Sequence, residues 1–371
     1  MKSQRYAVIM AGGKGVRFWP LSRPHRPKQL LKLFGGKTLL RETIDRILPL
    51  FGRENTLVVT GEEHYRAVRK ELGVLPASNF LVEPQGNNTA PCIGLAAIEL
   101  ARRDADAVMT VLPADHWISG HARFYQTLKA AMRLAQENDV LVTIGIRPAY
   151  PETGYGYIVK GKTIKAPRGT LAYQVKGFKE KPALAKARRL LALGSLWNSG
   201  IFAWRAATVL TMLRRFTPSL SKSLEKIQEE ARGRSLGNPV STLDTIIRRE
   251  YKKMTSISID HAVLENAAPE GKVFTLHANF GWSDVGSWAA VQRMLPKDRE
   301  GNAGIGKWMA LKSKNCLAYA PHRLVTILGA RDIAVIDTPD ALLVADLNRS
   351  QDVKELVEEL ARRGFGQYTR G

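Results

Sequence analysis

Cysteine is scarce in this 371-residue chain: Cys92 and Cys316 are too few for a disulfide framework and too far apart for a zinc pair. That fits a reducing compartment, and each reads as a buried structural thiol. The seven histidines offer no metal spacing either. No serine, cysteine or histidine stands in a pattern that ties a nucleophile to a base, so His116 reads as structural. Long apolar runs are missing too. None approaches the roughly 20 residues of a membrane span, and the run at 6–11 is too short for the core of a signal peptide, so a cytoplasmic chain is expected. Blocks of like charge are absent, although 56 Lys and Arg stand against 34 Asp and Glu, for a net charge of +22. Basic residues spread this way favour steering of small anions, or an Arg-rich proteome, over a dedicated nucleic-acid groove.

What the chain does have begins at residue 6. The apolar run 6–10 reads as a buried strand that breaks at once into Ala11-Gly12-Gly13-Lys14-Gly15. Glycines let backbone N–H groups converge on an anion, and Lys14, Arg17, Arg23, Arg26 and Lys28 add cationic donors, so a phosphorylated ligand is implied. Two commoner phosphate loops fail on named residues. A dinucleotide-binding G-x-G-x-x-G starting at Gly13 and Gly15 meets Phe18, and a P-loop ending in Gly36-Lys37-Thr38 would need glycine where Leu31 stands.

Apolar strands then alternate with helical periods. Helices are expected over 38–50, 64–72, 88–103 and 124–138, and strands over 56–60, 80–82, 107–112 and 140–145. This order implies an α/β fold with a mainly parallel sheet covered by helices on both faces. Strands at 154–159, 173–178 and 200–204 follow, with helices at 184–193 and 206–233, a surface loop at 233–241, a strand at 273–276 and a helix at 287–295. Composition shifts near 296–306. Short β-rich segments at 316–319, 324–328, 333–337 and 342–345 precede an amphipathic helix at 352–363. We therefore expect a domain at 1–295 and a small C-terminal β module with a closing helix at 296–371.

In an open α/β sheet, ligands bind beyond the carboxyl ends of strands, which selects two aspartates. Asp115 stands in Leu-Pro-Ala-Asp-His and Asp284 in Gly-Trp-Ser-Asp-Val-Gly. Two such carboxylates meeting over a polyphosphate suit Mg²⁺; alone, each is as well explained as a turn cap. Glu83 to Thr89 leads into a helix N-terminus, where Asn88 or Thr89 reads as an ordinary N-cap. Glu180-Lys181-Pro182 pairs a carboxylate suited to sugar hydroxyls with an ammonium suited to phosphate, and Trp197-Asn198-Ser199-Gly200 sets an amide beside an aromatic ring.

Together these segments resemble one family over nearly the whole chain. They are Ala11-Gly12-Gly13 through Arg17, Trp19-Pro20-Leu21-Ser22-Arg23, Pro27-Lys28-Gln29, Glu83-Pro84 with Asn88-Thr89-Ala90-Pro91, and Leu112-Pro113-Ala114-Asp115-His116. Glu180-Lys181-Pro182, Trp197-Asn198-Ser199-Gly200, Ser258-Ile259-Asp260 and Trp282-Ser283-Asp284-Val285-Gly286-Ser287-Trp288 continue the match. The chain resembles the bacterial mannose-1-phosphate guanylyltransferases, or GDP-mannose pyrophosphorylases. The resemblance implies a Rossmann-like nucleotidyltransferase domain followed by a short left-handed β-helix-like module. Longer relatives add a phosphomannose isomerase domain, and this chain stops before one could fit, so no isomerase activity is expected. Many relatives carry Arg or Lys where this chain has Asn87.

The implied reaction joins GTP and mannose 1-phosphate into GDP-mannose with Mg²⁺ as cofactor. By resemblance, Arg17 and Lys28 are the catalytic cations. Ala11, Gly12, Gly13, Lys14, Gly15, Asn88 and Thr89 bind the nucleotide, Gly154, Glu180, Lys181 and Asn198 face the sugar phosphate, and Asp115 and Asp284 hold the metal. Neither a specific nucleic acid nor a membrane is an expected partner, and a homodimer is allowed. The alternatives are a related nucleotidyltransferase with another base or sugar, a non-catalytic nucleotide-sugar sensor, and a nucleic-acid binder built on the positive charge.

Overall fold

The first apolar run forms the strand Arg5–Met10, with Tyr6 to Ile9 buried because parallel neighbours cover it on both edges. A computed structural model describes residues 4–13, 15–167, 169–231, 233–237 and 243–370. Their packing divides into two units. One takes in the described residues of Met1–Gly12, Ile44–Ala114 and Ile118–Trp282, and the other those of Gly13–Thr43, Asp115–Trp117 and Ser283–Gly371. This division by packing runs differently from a cut along the sequence, since residues 13–43 pack with the C-terminal strands.

The first unit is built on a nine-stranded sheet. Its spatial order is Phe80–Glu83, Thr56–Gly61, Arg5–Met10, Val108–Pro113, Leu196–Arg205, Leu141–Ile146, Val273–Ala278, Leu171–Lys179 and Tyr157–Ile164. All run one way except Leu171–Lys179 and Leu196–Arg205, so the sheet is mainly parallel as expected. Helix Thr89–Arg103 is buried from Ala90 to Leu100, because the sheet lies on one side and helices Ala206–Phe216 and Pro218–Ala231 on another. An apolar stripe alone would not need so complete a cover.

Several expectations are corrected here. The strand expected at 154–159 starts at Tyr157 and runs to Ile164, while Gly154 lies in a turn where its N–H bonds Glu152 Oε1 at 2.9 Å. The strand expected at 200–204 begins earlier, at Leu196, so Trp197 to Gly200 belong to it. Helix Leu243–Tyr251 follows the loop expected at 233–241, part of which falls outside the described residues.

The second unit holds a four-stranded sheet in which Ala303–Leu311, Leu317–Leu328 and Ile333–Asp337 pair in parallel and Leu342–Asp346 closes antiparallel. Parallel neighbours joined by such short connections make a coil rather than hairpins. Leu317–Leu328 replaces the two expected segments 316–319 and 324–328, and Ala303–Leu311 had no clear apolar alternation to announce it. Phe18, Trp19, Leu21, Leu31 and Leu33 share one core with Trp288, Leu317, Tyr319, Ile336 and Val353. Trp288 sits at its centre, its ring 5.1 Å from Phe18 and its indole N–H donating to the Trp19 carbonyl at 3.2 Å.

One buried carboxylate stands out. Glu83 ends its strand 4% exposed, and burial pushes its pKa from 4.5 up to about 8, against the pull of hydrogen bonds with Tyr251 and Cys92. Burial likewise raises the Cys92 thiol and the Tyr251 hydroxyl well above their ordinary values. Asn87 is a buried pin in the same loop, its amide donating to the Tyr251 carbonyl at 2.8 Å.

Two outcomes follow from this packing. Between pH 4.5 and about 8 the folded chain keeps a proton on Glu83 that the unfolded chain releases, so this group's contribution to stability falls as pH rises through that window. Urea midpoints at pH 6 and 8.5 should show Glu83→Gln with a smaller alkaline loss than the wild type. Trp288→Ala leaves a cavity under the 16–18 turn and should cost about 3–5 kcal/mol in the same measurement.

Candidate active site

The glycine loop matters most at Gly15. Its φ of +64° is left-handed, and a Cβ there would lie 2.2 Å from the Cβ of Lys28, so only glycine fits. The chain then turns through Val16–Phe18, which leaves Arg17 exposed and buries Phe18. Pro27 opens a second turn, Lys28–Leu30, whose first residue points back beside Gly15.

Lys28 is the best fixed of the cations. Only 8% exposed, it places Nζ 2.8 Å from Asp115 Oδ2, donates to the Asp284 backbone carbonyl, and sits 5.8 Å from the centre of the Phe18 ring. An ammonium so nearly removed from water needs these partners. Desolvation alone would raise the pKa of Asp115, but the charge of Lys28, and after it that of His116, holds the carboxyl below its ordinary range. Asp115 is thus an anion at neutral pH. Asp284 lies in a tight turn where Val285 takes φ +48° and its N–H bonds Ser283 Oγ at 3.0 Å.

Gly15, Arg17, Lys28, Asp115 and Asp284 line one cavity of about 380 Å³, all within the second unit. Val16, Phe18, His116, Gly286 and Lys354 complete its wall. Lys14 lies outside the described residues. Among the described residues no three or more His, Cys, Asp and Glu side chains gather into a metal cluster. Two aspartates and a lysine on one wall are what remains, a set of hard oxygen donors beside a fixed cation. Sequence reasoning missed Lys354, since nothing in an amphipathic helix marks which of its lysines turns to a cavity. It also set His116 aside as structural.

A second polar cluster lies in the first unit. Asn198 donates from Nδ2 to Asp260 Oδ1 at 2.6 Å, and its Oδ1 accepts from Thr143 Oγ1 at 2.8 Å and from the Gly200 N–H at 3.2 Å. Burial first, and then the charge of Glu180, pushes Asp260 from 3.8 up to about 7. Glu180 also pairs with Lys181 at 2.8 Å. The glycine that lies against this cluster is Gly156, where a Cβ would lie 2.4 Å from Glu180 Oε2 and 3.5 Å from Asn198 Cβ. Gly154 stands two residues away, held by Glu152. Trp197 anchors an aromatic group, with Tyr150 at 5.0 Å and Tyr155 at 5.1 Å, and Tyr155 in turn lies 5.4 Å from Trp282. Asp260 carried no role in the sequence reading; the neighbouring carboxylate that marks it is 80 positions away in the chain, about the separation at which no local pattern survives.

The remaining candidates are held by local structure. Ala11 is buried, and its N–H bonds the Val59 carbonyl at 2.8 Å, while Gly12 and Gly13 are exposed. Asn88, at φ +69°, caps helix Thr89–Arg103 by accepting from the Thr89 N–H at 2.9 Å, and Thr89 Oγ1 accepts from the Ile259 N–H at 2.8 Å.

Residues 6–301 match the Nucleotidyl transferase family model, and residues 306–360 match that of the MannoseP isomerase/GMP-like beta-helix domain. The chain is 40% identical over 366 residues to a mannose-1-phosphate guanylyltransferase of Klebsiella pneumoniae, an alignment covering 98% of this chain and 75% of that protein. An Escherichia coli mannose-1-phosphate guanylyltransferase matches with the same identity and coverage. The crystal structure of a mannose-1-phosphate geranyltransferase from Thermus thermophilus is similar with a TM-score of 0.84 and 33% identity, covering 96% of this chain and 99% of that one. With a mainly parallel sheet, a β-helix-like module and relatives of this identity over nearly its full length, the chain belongs to the mannose-1-phosphate guanylyltransferase family of nucleotidyltransferases.

Proposed function

We propose that this chain transfers the guanylyl group of GTP to α-D-mannose 1-phosphate, releasing pyrophosphate and GDP-mannose. The observation that supports this reading best is the shared cavity of Arg17, Lys28, Asp115 and Asp284. Cations and ionised carboxylates on one wall suit a polyphosphate that carries a divalent ion. A phosphate oxygen of the sugar phosphate attacks the α-phosphorus of GTP; the new P–O bond forms as the α–β bridge breaks, and its electron pair leaves on pyrophosphate. The nucleophile is already an anion, so no general base and no covalent enzyme intermediate are required.

Lys28 neutralises charge on the reacting phosphates. Its contacts with Asp115 and the Asp284 carbonyl fix the ammonium beforehand, so little reorganisation remains for the transition state. Arg17, on its exposed turn, is assigned to the departing pyrophosphate, and Ala11, Gly12, Gly13, Lys14 and Gly15 to the nucleotide. Asp115 and Asp284 fit Mg²⁺ in donor type and count, given that the ion prefers a few carboxylates and phosphate oxygens. Bound there, it supplies neutralisation of the triphosphate charge. Asn88 and Thr89 serve the nucleotide at a helix N-terminus. Glu180, Lys181, Asn198 and Gly154 face the sugar phosphate, and residues 1–295 carry the transfer chemistry. The reading carries a cytoplasmic enzyme of small molecules, with a homodimer allowed.

Pyrophosphate release from GTP plus mannose 1-phosphate, with and without Mg²⁺, tests the proposal. Metal-dependent release that falls when ATP, UTP or dTTP replaces GTP, or glucose 1-phosphate replaces the mannose compound, is expected. GDP-mannose binding with no pyrophosphate release would make the chain a sensor. Lys28→Ala and Arg17→Ala should each lower kcat/KM by about 10²- to 10³-fold, the range for losing one fixed charge-stabilising donor. Steady-state kinetics with near wild-type values would remove those roles.

A further inference from the structure

Helix Val353–Arg362 is anchored to the loop that carries Arg17. Its Val353 is buried in the core that contains Phe18, Trp19 and Leu21, and Val357 and Leu360 pack against the same group. Beyond the helix, the Tyr368 carbonyl accepts the Trp19 indole N–H at 2.8 Å. These contacts set the position of the next residue, Lys354, which lines the cavity of Arg17, Lys28, Asp115 and Asp284.

Charge around that cavity is unequally spoken for. Lys28 is engaged by Asp115 at 2.8 Å. On the helix side, Arg349 is paired with Asp352 at 2.8 Å. Lys354 has a contact of 3.6 Å with Glu358, both side chains 61% exposed, an arrangement worth little in water and with the lysine on the less favourable N-terminal side of the pair. Its ammonium therefore yields readily to a stronger anion.

We propose that Lys354 is a further cation of the polyphosphate site, supplied by the C-terminal helix to bind the β- and γ-phosphates of the nucleoside triphosphate. This rests on the guanylyl-transfer reading. It makes the small C-terminal module a contributor to substrate binding as well as a support. Lys354 acts on binding, and the α-phosphorus chemistry stays with Lys28 and Arg17.

Kinetics and equilibrium binding on the full chain test this. Lys354→Ala should raise KM for GTP, and Kd for GTP and for inorganic pyrophosphate, about five- to tenfold, the effect of one charge-assisted contact at a partly solvated site. The expected kcat and KM for mannose 1-phosphate stay within about twofold, because the reacting phosphorus does not meet this residue. Lys354→Arg should restore tight binding and Lys354→Glu weaken it further. Glu358→Ala breaks the same surface pair and keeps the cation, so its GTP affinity should match wild type. Unchanged GTP and pyrophosphate affinity in Lys354→Ala, or an equal loss in Glu358→Ala, overturns the proposal. If the wild type binds GTP without releasing pyrophosphate, the transfer reading fails while the affinities still decide for or against Lys354. A wild type that binds neither GTP nor pyrophosphate overturns both.

Discussion

The ion pair between Lys28 and Asp115 is the contact on which the candidate site depends. An ammonium 8% exposed is stable only where its charge is met, and here a carboxylate at 2.8 Å and a backbone carbonyl of Asp284 meet it. The lysine and its two partners come from three segments far apart in the chain. The two contacts therefore hold the 28–30 turn, the Asp115 segment and the Asp284 turn in one arrangement, with Gly15 leaving room for the lysine stem and Phe18 flooring it. The same pairing keeps Asp115 ionised despite its desolvation. A single interaction thus sets both the position of the cation and the charge of the anion.

Two carboxylates of the first unit are handled in the opposite way. Buried Glu83 and half-buried Asp260 have no cation bonded to them, and each is shifted upward, to about 8 and about 7. Glu83 relies on Tyr251 and Cys92, and Asp260 on the amide of Asn198 beside the like charge of Glu180. A carboxyl near neutrality can donate as well as accept a hydrogen bond, which widens what the Asn198 cluster can hold.

Much of the framework was legible in the sequence, and for a physical reason. Apolar runs of strand length bounded by glycine, and amphipathic periods of helix length, report burial, and burial determines the alternating strands and helices. Asp115 and Asp284 could be singled out because strand ends open toward ligand crevices, and both line the cavity. What stayed hidden depends on long-range placement. The crowded glycine is Gly156 and not its neighbour Gly154, a difference made by Glu180 and Asn198. Asp260 and Lys354 join clusters through partners distant in sequence, where no period or spacing records the meeting. Nor did the excess of basic residues show which are spent in surface pairs: Arg248 with Glu62, Arg214 with Glu225 and Arg215 with Glu270 lie outside the cavity.

The manner in which Lys28 is held has a practical consequence for genetics. Asp115 grips it with a side chain, so any replacement there disturbs the lysine along with whatever else the carboxylate does. Asp284 contributes its main-chain oxygen, which every amino acid possesses. Side-chain replacement at 284 can therefore isolate the function of that carboxylate while the lysine keeps its tether, whereas at 115 the two functions are inseparable by mutation.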